Sequence, residues 1–399
     1  MKVRYIMAQR QIDKHIDVLD GLRAIAIILV VWLHFWEQTW ITPYIDFSDH
    51  LTRYVGITES HLHTYVRFGA VFTDLMILIS GICNFWPYAR AMVLKEEWPD
   101  TKTFYKKRAI RILPSYYLSV IVVFILALIQ NKYTSTSFMW KDLLSRLTFT
   151  SVWSDDLYLG TQLNGVLWTV QVEVWFYLLI PLLALLFRKL PAITCGALWL
   201  IGIIASNVVI YNFSDNVRGW ANHPLLYTGF YANGMLICIC YAMVKKSGAE
   251  NKYTHLFAAL VAFAGVVGFN RLIETFYNQD KDYMKVVTRF EMMMLFSVIT
   301  LALMLAGSAV GKIMSNKFFR FVSLISYNLY IWHQVVAFQC KDNRIPYWEG
   351  DTPPNILGDT AWCFKYQIII LVITLVISIG LTYGFERPAA KYLQKKLKV

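Results

Sequence analysis

An arginine and a histidine interrupt one long apolar run near the start of this chain, LDGLRAIAIILVVWLHFW, at Arg23 and His34. Ionisable residues in such a run are costly and by default mark function. Eleven residues make about three helical turns, so both side chains share one helix face, about 16 Å apart along its axis. Histidine is the side chain suited to proton transfer near neutral pH. Arginine holds a phosphate, a carboxylate or a carbonyl. Two plainer readings stand beside these: Arg23 reaching to lipid headgroups, and His34 as an interfacial ring with its nitrogens satisfied.

Further along, Glu173 lies among aromatics in GVLWTVQVEVWFYLLIP, and His333 closes SLISYNLYIWHQ. An unpaired carboxylate in such a run is expensive. Counted from the ends of their runs, Glu173, His34 and His333 fall at one depth, so a His34–Glu173 pair is expected. His333 then either binds a second substrate or packs. In YKKRAIRILPSYY, Arg108 and Arg111 are three apart and so neighbours on a helix. With Lys106 and Lys107 they form a cationic cluster that suits a phosphorylated ligand or anionic lipid. FTDLMILISG carries Asp74, a candidate partner for one of the cations, and Ser80. Glu386 and Arg387 in FERPAAKYL read mainly as a structural lock. No Cys or His spacing suggests a metal site.

The elements that must position these residues are apolar helices. Of 399 residues 57% are hydrophobic and only 16% charged, so the chain reads as an all-α, polytopic membrane protein. About ten spans are expected, near 18–37, 68–87, 112–130, 167–187, 191–211, 225–244, 254–271, 290–308, 319–338 and 367–386, around a polar central channel. Residues 1–17 form a cytoplasmic N-terminal segment, 18–388 the transmembrane domain and 389–399 a basic tail. The first run reads as a retained helix and not a cleaved signal. One set of connections is basic, including Lys106, Lys107, Arg188, Lys189, Lys245, Lys246, Lys312 and Lys317. The other is mixed and acidic, including Asp46, Asp49, Glu59, Asp155, Asp156, Glu274, Asp280 and Asp359. The positive-inside rule then puts both termini in the cytoplasm. The net charge of +12 is accounted for by this topology, and no nucleic-acid recognition motif accompanies it. FMWKDLLSRLTFTSVW has helical spacing and suits the membrane interface. Cys340 and Cys363 share one outer connection, as a disulfide or as two free thiols.

Five of these stretches, in order, resemble motifs of the acyltransferase-3 family of bacterial integral-membrane O-acyltransferases: LDGLRAIAIILVVWLH, RAIR, WTVQVEVWFYLLIP, SYNLYIWH and the terminal ERP. The resemblance is to the stand-alone membrane form typified by O-antigen acetylases. It implies an enzyme of the cytoplasmic (inner) membrane that moves an acyl group, acetyl first of all, from cytoplasmic acyl-CoA to a sugar hydroxyl on a cell-surface glycan or lipid-linked precursor. It implies no bound cofactor, acyl-CoA being a substrate. His34 becomes the catalytic histidine, Arg23 its motif partner, Arg108 and Arg111 the donor site, and Glu173 the support of the catalytic centre. The competing class is a transporter or flippase, which ten spans with internal charges also suit.

Overall fold

The computed structural model describes residues 15–41 and 62–399, with the backbone alone for 62–64. Asp46, Asp49, Glu59 and most of the N-terminal segment lie outside the described residues. Within them every regular element is a helix, as expected where apolar surroundings leave backbone groups to satisfy one another.

The long helices are α1 (Val18–Thr39), α2 (Phe72–Leu94), α3 (Thr101–Ile129), α4 (Thr136–Leu147), α5 (Trp168–Lys189), α6 (Pro191–Asn212), α7 (Thr228–Ser247) and α8 (Lys252–Thr275). Then follow α9 (Lys281–Val287), α10 (Arg289–Leu305), α11 (Lys317–Asp342), α12 (Thr360–Leu381) and α13 (Arg387–Leu397). Their starts are written in the sequence. Asp100, Ser135, Asn316 and Asp359 each accept the backbone N–H that opens α3, α4, α11 and α12. Asn251 and Thr254 form a capping box on α8.

Among the described residues eight helical segments are long and apolar enough to cross a membrane, or nine if one bent pair counts as a span. The expected spans at 290–308 and 319–338 fall elsewhere. The first lies on α10, which with α9 makes a pair bent by 72°. The second lies on α11, whose 26 residues include buried Ser323, Ser326, Asn328 and His333. A helix enclosed on most sides need not be apolar all round.

Helices α2 and α7 are the most enclosed, whereas α6, α8 and α12 turn side chains such as Ile201, Phe257, Phe263, Ile368 and Val376 outward. At the α2–α7 crossing, a Cβ on Gly234 would stand 3.1 Å from the Gly81 carbonyl carbon and 3.1 Å from the Ile82 nitrogen, so only glycine allows the approach. Phe176 of α5 stacks on Tyr231 of α7 at 3.8 Å beside it.

Contacts at the two ends of the helices tie separate connections together. At one end Lys106 donates to the Leu397 carbonyl, Lys246 donates to the Val93 carbonyl, and Arg188 covers Trp98. At the other end Lys132 meets Asp342, and Asn216 meets Asp155. There α4 exposes Trp140 and Leu144 while burying Asp142 and Arg146, the amphipathic element foreseen at 138–153. Cys340 and Cys363 are both buried free thiols.

Candidate active site

Arg23 and His34 do lie on one face of α1, and the facing element is α11. Arg23 donates to Ser323 Oγ at 3.2 Å, and the His34 and His333 rings stand 5.1 Å apart. Both contacts advance together along the two chains, so α1 and α11 run parallel. Their polar pairs are about 16 Å apart.

At the histidine end, His34 Nδ1 lies 3.1 Å from Glu37 Oε2. A carboxylate only accepts, so this nitrogen carries a proton, and in the neutral ring Nε2 is then the nitrogen with the lone pair. Glu37 is held in turn by Lys281, the first residue of α9. His333 is wholly buried and donates from Nδ1 to the Tyr330 carbonyl at 2.7 Å. Its Nε2 is buried with no hydrogen-bond partner among the described residues.

At the arginine end, Arg23 also reaches Cys83 Sγ at 3.5 Å and Asp20 at 3.7 Å. The Arg108 guanidinium lies over the Phe104 and Tyr177 rings, at 5.5 and 5.9 Å. Arg111 is exposed, yet Tyr177, Cys83, Glu173 and Glu386 all stand within its electrostatic reach. Glu386 sits in a π-helical turn, Thr382–Glu386, and accepts from Asn328 of α11 at 2.6 Å. Turns of this type concentrate at functional sites. The lock read into Glu386 thus joins α12 to α11.

Glu173 belongs to this inner level. It accepts from Tyr177 Oη at 2.5 Å, and Arg111 and Arg23 lie within its electrostatic reach. The expected His34–Glu173 pair does not form, and the reason is register. Helix α5 runs against α11, with Val166 just before it level with Tyr330. Seven residues on, Glu173 lies about 10 Å from Val166 toward the arginine end, and His333 lies three residues from Tyr330 the other way, so about 15 Å of helix separates their levels. Counting from the apolar run misjudged its depth, because the enclosed part of the segment starts before the run does.

Asp74 does meet cations, but others than those singled out. It is buried against Lys285 at 3.4 Å and Arg289 at 3.3 Å. Lys285 also donates to Thr73 and Asn222, and lies 4.6 Å from the Trp168 ring centre. Arg289 donates to the Ala221 carbonyl at 2.7 Å. Every group in this cluster is engaged by another. The sequence reading missed Glu37, Lys281, Lys285, Arg289 and Tyr177. Glu37 alone had a usable signal, an i, i+3 position after His34.

No group of three or more metal-binding side chains occurs among the described residues. The arrangement therefore offers a proton acceptor at one level, cations at the other, and one helix pair joining them.

Comparison with known proteins shows which family the chain resembles. A protein of Staphylococcus aureus (strain COL), provisionally named an O-acetyltransferase, is 23% identical over 360 residues, covering 84% of this chain and 53% of the relative. The O-acetyltransferase OatA of Staphylococcus aureus (strain NCTC 8325) is 23% identical over 392 residues, covering 95% of this chain and 58% of OatA. A provisionally named acetyltransferase of Acidianus two-tailed virus is 26% identical over 245 residues, covering 59% of this chain and 65% of its own. The chain thus spans about half the length of the staphylococcal relatives. No solved structure matches. The family profile described as an acyltransferase domain covers residues 16–387, and the chain belongs to this acyltransferase-3 family.

Proposed function

We propose that this chain is a multi-pass O-acyltransferase of the cytoplasmic membrane, with ten crossings and both termini inside, that moves an acetyl group from acyl-CoA to a sugar hydroxyl. The single observation that carries the reading is the stripe of α1 against α11, with cations at one end and the histidines about 16 Å away. That separation matches an extended pantetheine arm. The names of the relatives, O-acetyltransferases, support the acetyl group and the hydroxyl acceptor.

In this scheme Arg108 and Arg111 hold the donor's phosphates from the cytoplasmic side. The arm passes Arg23 in a polar channel, and the thioester reaches His34. The acceptor hydroxyl gives its proton to Nε2 of His34. Its oxygen forms a bond to the thioester carbon, the C–S bond breaks, and the departing thiolate takes the proton back. Arg23 and Glu173 with Tyr177 set the polarity of the arm's path. Asp74 and its cations support the fold.

Transport remains the alternative, and the 72° bend between α9 and α10 is the observation that favours it. Purified full-length protein in nanodiscs separates the two. Wild type is expected to bind acetyl-CoA and to release CoA. His34→Ala should keep binding while turnover falls by about 10²- to 10⁴-fold. Arg111→Ala should weaken binding by about 10- to 150-fold, the worth of one hydrogen bond to a charged group. Wild type that binds none of acetyl-, succinyl- or longer acyl-CoA would refute the reading.

A further inference from the structure

The acyl-transfer reading assigns no role to Glu37, although it is the carboxylate that touches His34. We infer that Glu37 is the positioning residue of His34, and that Lys281 is the residue that holds Glu37 in place. This rests on His34 being the proton acceptor of the reaction.

A general base on a helix needs a fixed ring angle and a fixed tautomer. One turn of α1 supplies both. Glu37 follows His34 by three residues and so lies beside it on the same face. Its Oε2 stands 3.1 Å from Nδ1, which pins the proton on that nitrogen and frees Nε2 to accept. When Nε2 takes the acceptor's proton, the imidazolium forms beside a carboxylate. The charge is then balanced without any further proton transfer, as in the aspartate–histidine part of a serine protease triad. The Glu37 carboxylate is about one-fifth exposed, as is His34, so water does not fully screen the pair.

The other oxygen, Oε1, is taken by Lys281. That contact crosses 244 residues of sequence and ties the start of α9 to the end of α1. A glutamate with one oxygen on a lysine and the other on a histidine has little freedom to turn. His333 limits the ring from the opposite side, with its centroid 5.1 Å away. His34 is thereby held between α1, α9 and α11. Glu173 cannot do this, because it is hydrogen bonded to Tyr177 at the arginine level.

The experiment measures CoA release from acetyl-CoA by the full chain in nanodiscs, with water as acceptor, beside CoA binding and thermal melting. Glu37→Gln and Glu37→Ala should fold, bind CoA within about twofold of wild type, and lose about 10²- to 10⁴-fold in kcat, the range for a general base or its orienting carboxylate. Glu37→Asp should recover part of the loss. Added formate should restore Glu37→Ala and not His34→Ala, a rescue that a purely structural glutamate would not give. Lys281→Ala should lower kcat by about tenfold in the wild-type background and have no effect in Glu37→Gln, because Lys281 acts only through Glu37. Glu37→Gln with wild-type kcat would overturn the inference while leaving the acyl-transfer reading intact. So would a loss in Glu37→Ala that formate does not restore. Wild type and His34→Ala releasing CoA at the same rate would overturn both. If Glu37→Ala does not fold, the decision passes to Glu37→Gln, which keeps the size and one acceptor oxygen.

Discussion

Replacing Asp74 by asparagine tests whether the buried charge cluster is architecture or chemistry. Asp74 is 1% exposed, Lys285 3% and Arg289 4% at their side chains, with separations of 3.4 and 3.3 Å. At an effective dielectric of about 20, each attraction is worth about 5 kcal/mol before desolvation is subtracted. The Asp74→Asn side chain would keep the Thr73 and Tyr227 hydroxyls as neighbours, so little shape is lost. It would leave two buried cations with no anion in contact, Asp282 being the carboxylate still within their electrostatic reach, which costs about 3–5 kcal/mol. Arg289 retains the Ala221 carbonyl and the Tyr227 ring 4.4 Å away, and Lys285 retains Thr73 and Asn222. Those neutral partners cannot cancel the mutual repulsion. The assay is thermal melting and size-exclusion behaviour in detergent, with CoA release measured on whatever remains folded. Asp74→Asn should melt well below wild type. Lys285→Met in that background should recover at least half of the loss, because one buried cation is gone. An Asp74→Asn protein that melts like wild type but has lost turnover would refute the architectural assignment and move Asp74 into the reaction.

Two further outcomes follow from packing and from sulfur chemistry. Gly234→Leu should destabilise by about 1–3 kcal/mol, since its Cβ would meet the backbone of Gly81 and Ile82, which cannot rotate away. Gly196→Leu, with nothing within 4 Å of the new Cβ, should melt like wild type; equal effects from the two would remove the case for a close α2–α7 crossing. Alkylation of unfolded, unreduced protein followed by mass spectrometry should label both Cys340 and Cys363, the two free thiols. Labelling that appears only after reduction would establish a disulfide there.

The helices were legible because an apolar run of about 20 residues has few alternatives. So was the pairing of Arg23 with His34 on one face, which follows from helical period alone. Depth was less legible. Glu173 lies about 15 Å from the histidine level, toward the arginine end, because α5 runs against α11 and its enclosed part begins at Gly165, ahead of the apolar run. No feature of the local sequence reports that offset. Lys285 and Arg289 were missed for a similar reason. They stand ahead of the apolar run expected as a span at 290–308, in a segment broken at Thr288. Their partner Asp74 is more than 200 residues away in sequence, and only the folded chain brings them together. The helix expected at 319–338 is present, but its serines, asparagine and histidine, buried against protein, keep it from passing as a membrane span by composition.

The contacts of α1 and α11 give the arginine-to-histidine spacing a physical meaning that one helix alone would not. Arg23 meets residue 323 and His34 meets residue 333, so the two helices keep step over the whole interval. Parallel helices in register behave as one rigid ruler, and the distance between the Arg23 end and the two histidines is then set by the backbone of two elements. Each end of the ruler is tied to a third element. Glu37 and Lys281 bind the histidine end to α9. Asn328, Thr382 and Glu386 bind the arginine side of α11 to the π-helical turn after α12. The proposed transfer from a long cytoplasmic donor to an acceptor at the far side would need a fixed length more than a deep pocket. Proximity of the reacting groups supplies much of the rate in such a transfer. The polar residues of α11, which make it a poor membrane helix by composition, are the groups that hold that length constant.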